Sequence, residues 1–272
     1  MRPYLLGYGH FYHLFGTFLK LFMPKIGSFL AFDTSTDVMS IALTDGAQVW
    51  QHTGPGGAKA STTLIPAILA LLAGSNLALG DLQAIAFGRG PGSFTGLRTA
   101  CAVAQGLAFG ANGGAGVPVL PIDTLLTVAE EARQQSQSQH PNSPTDADGV
   151  INITALLDAR MDEMYVQRFA CHQSVLTKIE DCQLIRPEHM MAESNSLYAG
   201  NVFEVYRSRL PAGLNSVTCL PSATAMLRLA PRLAASGLCL PADQALPLYV
   251  RDKVAQTTQE REQIKALKLQ AI

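Results

Sequence analysis

The chain has 272 residues, a net charge of −1, 48% apolar residues and only 15% charged residues. This composition supports a sizeable core and excludes a wholly disordered chain. The near-neutral charge makes the chain a poor candidate for tight, salt-dependent nucleic-acid binding. Five scattered cysteines, none in a C-x-x-C pair, indicate neither a zinc ribbon nor a disulfide framework and suit a reducing cytoplasm.

The first 22 residues differ from the rest of the chain, because they hold seven of its 19 aromatic residues. Glycines, histidines and Lys20 interrupt the apolar run, so the segment matches neither a signal peptide nor a transmembrane helix. We expect residues 1–22 to be an extension outside the fold, with Met23 as a possible true start.

Alternating strand and helix patterns predict an α/β organisation in the first half. Strands are predicted at residues 28–32, 39–43 and 47–52, with a two-residue hairpin at Asp45-Gly46. Thr62 or Thr63 is predicted to cap a helix that runs to about Ala73. A strand at 84–87, a helix at 95–109, a strand at 117–122 and a helix opening at Asp123 or Thr124 follow.

A similar order of elements returns in the second half, after a polar, low-complexity segment at 134–149 that is predicted to be a disordered loop. Strands are predicted at 151–157, 164–169 and 178–185, a helix at 222–235 and an extended segment at 247–251. The repeat favours two ribonuclease-H-like lobes with mixed sheets, at residues 23–123 and 124–253. Residues 254–272 are predicted to form a polar C-terminal helix or tail.

Two loops have residue types suited to anion binding. The turn Asp33-Thr34-Ser35-Thr36 offers hydroxyl and N–H donors to a phosphate, although an ordinary hydroxyl-rich turn has the same composition. Residues 88–96 form a glycine-rich loop between a strand and a helix, where free N–H groups and the helix dipole favour an anion. The alternative is that these glycines serve tight turning and close packing. The loop is neither a Walker A motif nor a complete dinucleotide fingerprint.

The two helices that flank this loop are apolar on two faces. Leu64, Ile68 and Leu71 form one row and Ile65, Leu69 and Leu72 a second, while the next helix has rows of alanine and glycine. Such helices must be buried on two sides, either by a partner or within the monomer.

Several of these segments together resemble the bacterial tRNA threonylcarbamoyladenosine biosynthesis proteins TsaB, also called YeaZ. The matching stretches are Asp33-Thr34-Ser35-Thr36, residues 88–98, residues 104–108, residues 158–165 and the ending Tyr249-Val250-Arg251. The similarity extends from about Ser28 to Lys253, and its glycine-rich stretch is the most specific part.

The resemblance implies an actin-like ATPase/sugar-kinase (ASKHA) fold and a catalytically degenerate relative of the transferase TsaD, in the superfamily that also holds M22-type peptidases. It implies a non-catalytic partner subunit that binds TsaD, works with the ATPase TsaE in modifying tRNA next to the anticodon, and forms a homodimer when alone. No cofactor would be bound firmly, with ATP and Mg²⁺ possible only at the level of the complex, and tRNA would be reached through that complex.

The resemblance also assigns roles to residues. The turn Asp33, Thr34, Ser35 and Thr36 would be a remnant phosphate site. The glycine-rich loop would comprise Gly88, Arg89, Gly90, Pro91, Gly92, Ser93, Thr95, Gly96 and Arg98. The partner interface would be formed or backed by Leu64, Ile65, Ile68, Leu72, Leu97, Ala100, Cys101, Ala104 and Leu107.

One departure from the family pattern bears on catalysis. Ala60 occupies a position where the family often has a histidine, and the superfamily's metal-binding histidine pair is absent from the sequence. Metal-dependent catalysis and a metal site are therefore not expected. Two alternatives stay open: an active nucleotide-dependent transferase or peptidase of this fold, and direct tRNA binding by a basic tail containing Arg251, Lys253, Arg261, Lys265 and Lys268.

Overall fold

The computed structural model describes residues 27–139 and 149–251. The predictions for residues 1–22 and for the C-terminal tail lie outside this part of the chain.

The first sheet has five strands in the order β3-β2-β1-β4-β5. They are β1 (Ser28–Asp33), β2 (Val38–Asp45), β3 (Val49–Pro55), β4 (Ala84–Gly90) and β5 (Val119–Asp123). β1 is antiparallel to β2 and parallel to β4, which confirms a mixed sheet. The predicted two-residue hairpin is wrong: Thr44 pairs with Val49, and the Asp45 carboxylate accepts hydrogen bonds from the N–H groups of Ala47 and Gln48, which stabilises a longer connection.

Two helices, α1 (Ala60–Ser75) and α2 (Phe94–Gly110), cover one face of this sheet. The prediction that Thr62 or Thr63 caps α1 is wrong, because the helix begins at Ala60, directly after a 3₁₀ turn. Both threonine hydroxyls instead donate to the Lys59 carbonyl, at 3.0 and 3.3 Å.

The second sheet has six strands, with β11-β10-β6-β7-β8 in order and β9 paired to β7. The strands are β6 (Ile151–Arg160), β7 (Glu163–His172), β8 (Val175–Lys178), β9 (Gln183–Ile185), β10 (Ser196–Gly200) and β11 (Ser216–Thr218). The single strand predicted at 178–185 is wrong, because a turn divides it into β8 and β9. Ion pairs of Lys178 with Asp181 and of Arg168 with Glu180 hold that turn.

The helix α3 (Thr124–Gln139) packs on the second sheet and corrects the first part of the loop predicted at 134–149. The rest of that prediction, residues 140–148, lies outside the described residues. Residues 134–139 are helical, and a hydrogen bond from Gln135 to Glu131 one turn earlier supports them. Glutamine is compatible with a helix, so a low-complexity, glutamine-rich composition did not exclude one.

The fourth helix, α4 (Ala223–Ala235), is capped by the Ser222 hydroxyl and packs on the opposite face of the first sheet, against Phe29, Ala31 and Ala86. Arg228 joins it to α3 through Glu130 at 2.8 Å and Glu131 at 3.1 Å. Helices α3 and α4 therefore lie between the two sheets. α4 follows residue 123, the predicted boundary between the lobes, and packs into the core of the first sheet.

Candidate functional site

The turn that follows β1 is buried and hydrogen-bonded to itself. One oxygen of the Asp33 carboxylate accepts hydrogen bonds from the Ser35 N–H at 2.9 Å and from the Ser35 hydroxyl at 2.6 Å. The other oxygen, Oδ2, is buried, and no described residue gives it a hydrogen bond. The Thr34 hydroxyl donates to the Gly96 carbonyl at 2.7 Å. Only Thr36 of the four turn residues is partly exposed.

The glycine-rich loop packs directly on this turn, and its glycines allow the approach. A Cβ on Gly88 would lie 1.9 Å from Asp33 Oδ2, and a Cβ on Gly96 would lie 1.9 Å from the Thr34 carbonyl oxygen. The Ser93 N–H donates to the Ser35 carbonyl at 2.7 Å, so this donor at the start of α2 is used within the protein. Of the two interpretations given to the glycines, the structure supports close packing.

These contacts bear on a nucleotide cofactor. The N–H of Ser35 and the N–H of Ser93 both have protein acceptors, and the glycine-rich loop fills the space beside Asp33. Neither of these two N–H donors is therefore free for a phosphate group in this arrangement. No group of three or more His, Cys, Asp or Glu side chains suited to a metal ion occurs within residues 27–139 and 149–251.

Burial raises the pKa of the Asp33 carboxyl from 3.8 to about 6, against the opposing effect of the two Ser35 hydrogen bonds. The folded state therefore binds this proton more tightly than the unfolded state. Stability contributed by the protonated form is present at low pH and is lost as the pH rises from about 4 through 6.

The substitution Asp33→Asn should remove this loss. Asparagine can accept both Ser35 hydrogen bonds and carries no charge at any pH. We expect the stability of the variant relative to wild type to rise by about 2–3 kcal/mol between pH 4 and pH 8, measured by urea unfolding. The exposed Asp243→Asn is the control. A difference between Asp33→Asn and wild type that is constant with pH would contradict the burial effect.

A cleft of about 300 Å³ lies beside the turn, between the end of β1 and the end of β6. Its walls come from the turn after β1, the start of α2, the end of β6 with Met161 of the β6–β7 turn, and residues 248–251. Asp158, near the end of β6, accepts a hydrogen bond from the Tyr206 hydroxyl at 2.7 Å. Arg89 lies apart from the cleft walls and pairs with Asp123 at 2.5 Å.

The residues predicted to form or back the partner interface are mostly in the core. Seven of the nine are buried, which allows them to back an interface but not to form its surface: Leu64, Ile68, Leu72, Leu97, Ala100, Cys101 and Ala104. Ile65 is 42% exposed and Leu107 is partly exposed. Because Ala104 is fully buried, we expect a charge there to unfold the chain, so a test of partner binding needs an exposed position instead.

The same helices carry exposed apolar side chains that the prediction missed. Leu69 on α1 is 51% exposed and lies one turn after Ile65, and Phe109 at the end of α2 is 72% exposed. The exposed residues Ala70 and Ala73 on α1, with Ala102 and Gly106 on α2, add small side chains. We call the exposed sides of α1 and α2 the helical face.

Helix Gly57–Ser75, including its 3₁₀ start, is the one helix among the described residues that is long and apolar enough to span a membrane by length and composition. Core helices of water-soluble proteins pass the same test. Here α1 packs Leu64 and Ile68 into the first core.

Comparisons with known proteins agree with this arrangement. The chain is 32% identical over 238 residues to the tRNA threonylcarbamoyladenosine biosynthesis protein TsaB of Haemophilus influenzae, an alignment that covers 83% of this chain and 94% of that protein. This chain belongs to the TsaB family. The Escherichia coli K12 TsaB is 29% identical over 236 residues, covering 83% of this chain and 95% of its own.

The fold and a wider family model support the same placement. YeaZ from Pseudomonas aeruginosa superposes with a TM-score of 0.69 at 32% identity, over 82% of this chain and 99% of YeaZ. The family model of TsaD, tRNA N6-adenosine threonylcarbamoyltransferase, matches residues 52–268. The TsaB chain therefore lies within the TsaD superfamily, as its motifs predicted.

Proposed function

We propose that this TsaB chain is a non-catalytic partner subunit required for threonylcarbamoyladenosine modification of tRNA. It binds and supports a TsaD-like transferase subunit in the cytoplasm, with a TsaE-like ATPase as third component and tRNA reached through the complex. Alone it forms a homodimer through the surface that binds the transferase, the helical face. The names of its relatives, tRNA threonylcarbamoyladenosine biosynthesis proteins, support a role in making this modification.

The helical face is the observation that carries the partner role. Ile65, Leu69 and Phe109 are large apolar side chains left in contact with water, on helices whose other sides are buried. Exposing them is unfavourable, and a second helical surface would remove them from water. Small residues such as Ala102 and Gly106 allow a partner helix to approach closely.

The turn and glycine-rich loop support the proposal that the chain itself is not the catalyst. Two sheets, each with an antiparallel hairpin beside parallel strands, fit a two-lobe ASKHA fold. In this chain the loop is packed onto the turn that would hold a phosphate. We therefore assign ATP and Mg²⁺ to the assembled complex rather than to this chain.

Reconstitution tests the proposal against the alternative of an active enzyme. The chain, produced from Met23, is mixed with the host's TsaD and TsaE proteins, tRNA, ATP and the threonylcarbamoyl-adenylate donor system, and the modified nucleoside is quantified by mass spectrometry. We expect modification only when the chain is present and no ATP turnover or peptidase activity from the chain alone. Equal modification without the chain would refute the partner role, and ATP turnover that is lost in Asp33→Ala would favour the enzyme.

A further inference from the structure

Residues 245–251, which we call the strap, are fixed to the first sheet and to α2. The Gln105 side-chain amide donates to the Ala245 carbonyl at 3.0 Å. The Leu248 N–H donates to the Arg89 carbonyl, near the end of β4, at 2.7 Å. A Cβ on Gly90 would lie 2.6 Å from the Leu248 carbonyl oxygen, so the strap passes directly over the end of β4.

Tyr249 joins the strap to the first turn of α2. Its ring stacks on Phe94 with the centroids 5.5 Å apart, and its hydroxyl accepts a hydrogen bond from Arg98 Nε at 3.0 Å. The Arg98 guanidinium lies 3.9 Å above the Phe94 ring, which adds a cation–π contact. These three side chains form one cluster at the start of a helix that carries part of the helical face.

Two residues later, Arg251 contacts the second sheet. Its guanidinium donates to the Glu163 carboxylate at 2.5 Å and to the Arg160 carbonyl at 3.3 Å, and it touches the Met161 sulfur at 2.9 Å. Its side chain is 12% exposed. A largely buried ion pair with further hydrogen bonds restricts geometry more than an exposed pair does.

The turn that Arg251 holds has an unfavourable backbone. Arg160, Met161 and Asp162 have φ values of 62°, 56° and 60°, in the left-handed region that residues with a Cβ seldom adopt. The pairing of Arg160 with Glu163 closes this turn within the hairpin, and contacts from outside the hairpin add to it. Arg251 contacts the first two residues of the turn, Arg160 and Met161. The Arg160 guanidinium also donates to the Asp37 carboxylate, between β1 and β2, at 2.6 Å.

We propose that the strap is a clamp that holds the β6–β7 turn at a fixed position relative to α2, with Tyr249 and Arg251 as its two positioning residues. The clamp deepens and rests on the proposed function: a transferase partner seated on the helical face would meet the Arg160–Asp162 turn in one orientation. The clamp explains why Tyr249 and Arg251 stand two residues apart in an otherwise irregular segment, because Tyr249 contacts α2 and Arg251 contacts the second sheet.

The test compares Arg251→Ala with Arg168→Ala. Arg168 also lies on the second sheet and also pairs with two carboxylates, those of Glu180 and Glu193, but it does not contact the strap. In the reconstituted system we expect Arg251→Ala to slow tRNA modification by about tenfold or more, since small displacements of a positioned surface have effects of this size. The affinity of the Arg251→Ala variant for the transferase partner should stay within about threefold of the wild-type affinity. Arg168→Ala should change neither quantity, and Arg251→Lys, which keeps the charge, should recover part of the rate.

Amide hydrogen exchange of the chain alone separates the clamp from the proposed function. Arg251→Ala should speed exchange in the peptide that contains residues 158–164 and leave exchange in α1 unchanged. Unchanged exchange in that peptide would overturn the clamp, whether or not the partner binds. Faster exchange in this peptide, together with an unchanged rate of tRNA modification, would overturn the role of the clamp in the complex. A wild-type chain that fails to bind the partner would instead refute the proposed function.

Discussion

Two charges placed on the helical face should abolish partner binding while leaving the chain folded. Ile65 and Leu69 are exposed on one side of α1, one turn apart, so Ile65→Glu with Leu69→Glu adds no buried charge to the monomer. In a complex both carboxylates would lie in an apolar interface without a partner of opposite charge, which costs several kcal/mol. We expect the affinity for the transferase subunit to fall by at least about 100-fold, measured by calorimetry, and the homodimer to dissociate in sedimentation experiments.

A control on another surface separates this effect from a general effect of charge. Val205 is exposed between β10 and β11, in a segment that packs on the second sheet, and Val205→Glu should bind the partner as wild type does. Ile68→Glu, in which the charge lies in the core between the two exposed positions, should unfold the chain. Wild-type affinity in the folded Ile65→Glu, Leu69→Glu variant would show that the helical face is not the partner surface.

Gly96→Ala should be the most destabilising single methyl addition in the glycine-rich loop. The new Cβ would lie 1.9 Å from the Thr34 carbonyl oxygen, a backbone atom that cannot rotate away. To remove this overlap, α2 would have to move away from the turn. That movement would weaken the buried hydrogen bond between the Thr34 hydroxyl and the Gly96 carbonyl. We expect the free energy of unfolding to fall by about 3 kcal/mol, measured by denaturant unfolding.

Gly106→Ala is the matched control in the same helix. No heavy atom lies within 4 Å of the Cβ it would add, and alanine is a better helix former than glycine. This variant should be more stable than wild type by up to about 1 kcal/mol. Equal effects of the two substitutions would show that helix propensity, not contact with the turn, governs both positions.

The sequence was sufficient to predict the mixed first sheet and the position of the glycine-rich loop, because both follow from local patterns. Strand alternation locates β1 and β2, and the run of glycines after Phe87 marks a sharp connection into a helix. The pattern could not show what the glycines touch. Gly88 and Gly96 contact residues 33 and 34, more than 50 positions earlier in the chain, and only the folded sheet brings them together.

Periodicity could not predict which apolar residues of α1 face outward. The helix is apolar on both rows, so no polar stripe marks the water side, and Leu64 and Ile65 are equivalent in the sequence. Packing on the sheet decides between them: Leu64 is buried and Ile65 is exposed. The extended segment at 247–251 was predicted, but its contacts were not, because they join Arg98 to Tyr249 and Gln105 to Ala245 across about half the chain.

Depletion of the chain in its host tests the partner role most directly. Threonylcarbamoyladenosine in total tRNA is quantified by mass spectrometry after depletion and after rescue with variants expressed at equal levels. We expect the modification to fall on depletion, to return with wild type and with Val205→Glu, and to stay low with Ile65→Glu, Leu69→Glu. Unchanged threonylcarbamoyladenosine after depletion, or full rescue by the variant charged on the helical face, would contradict the account.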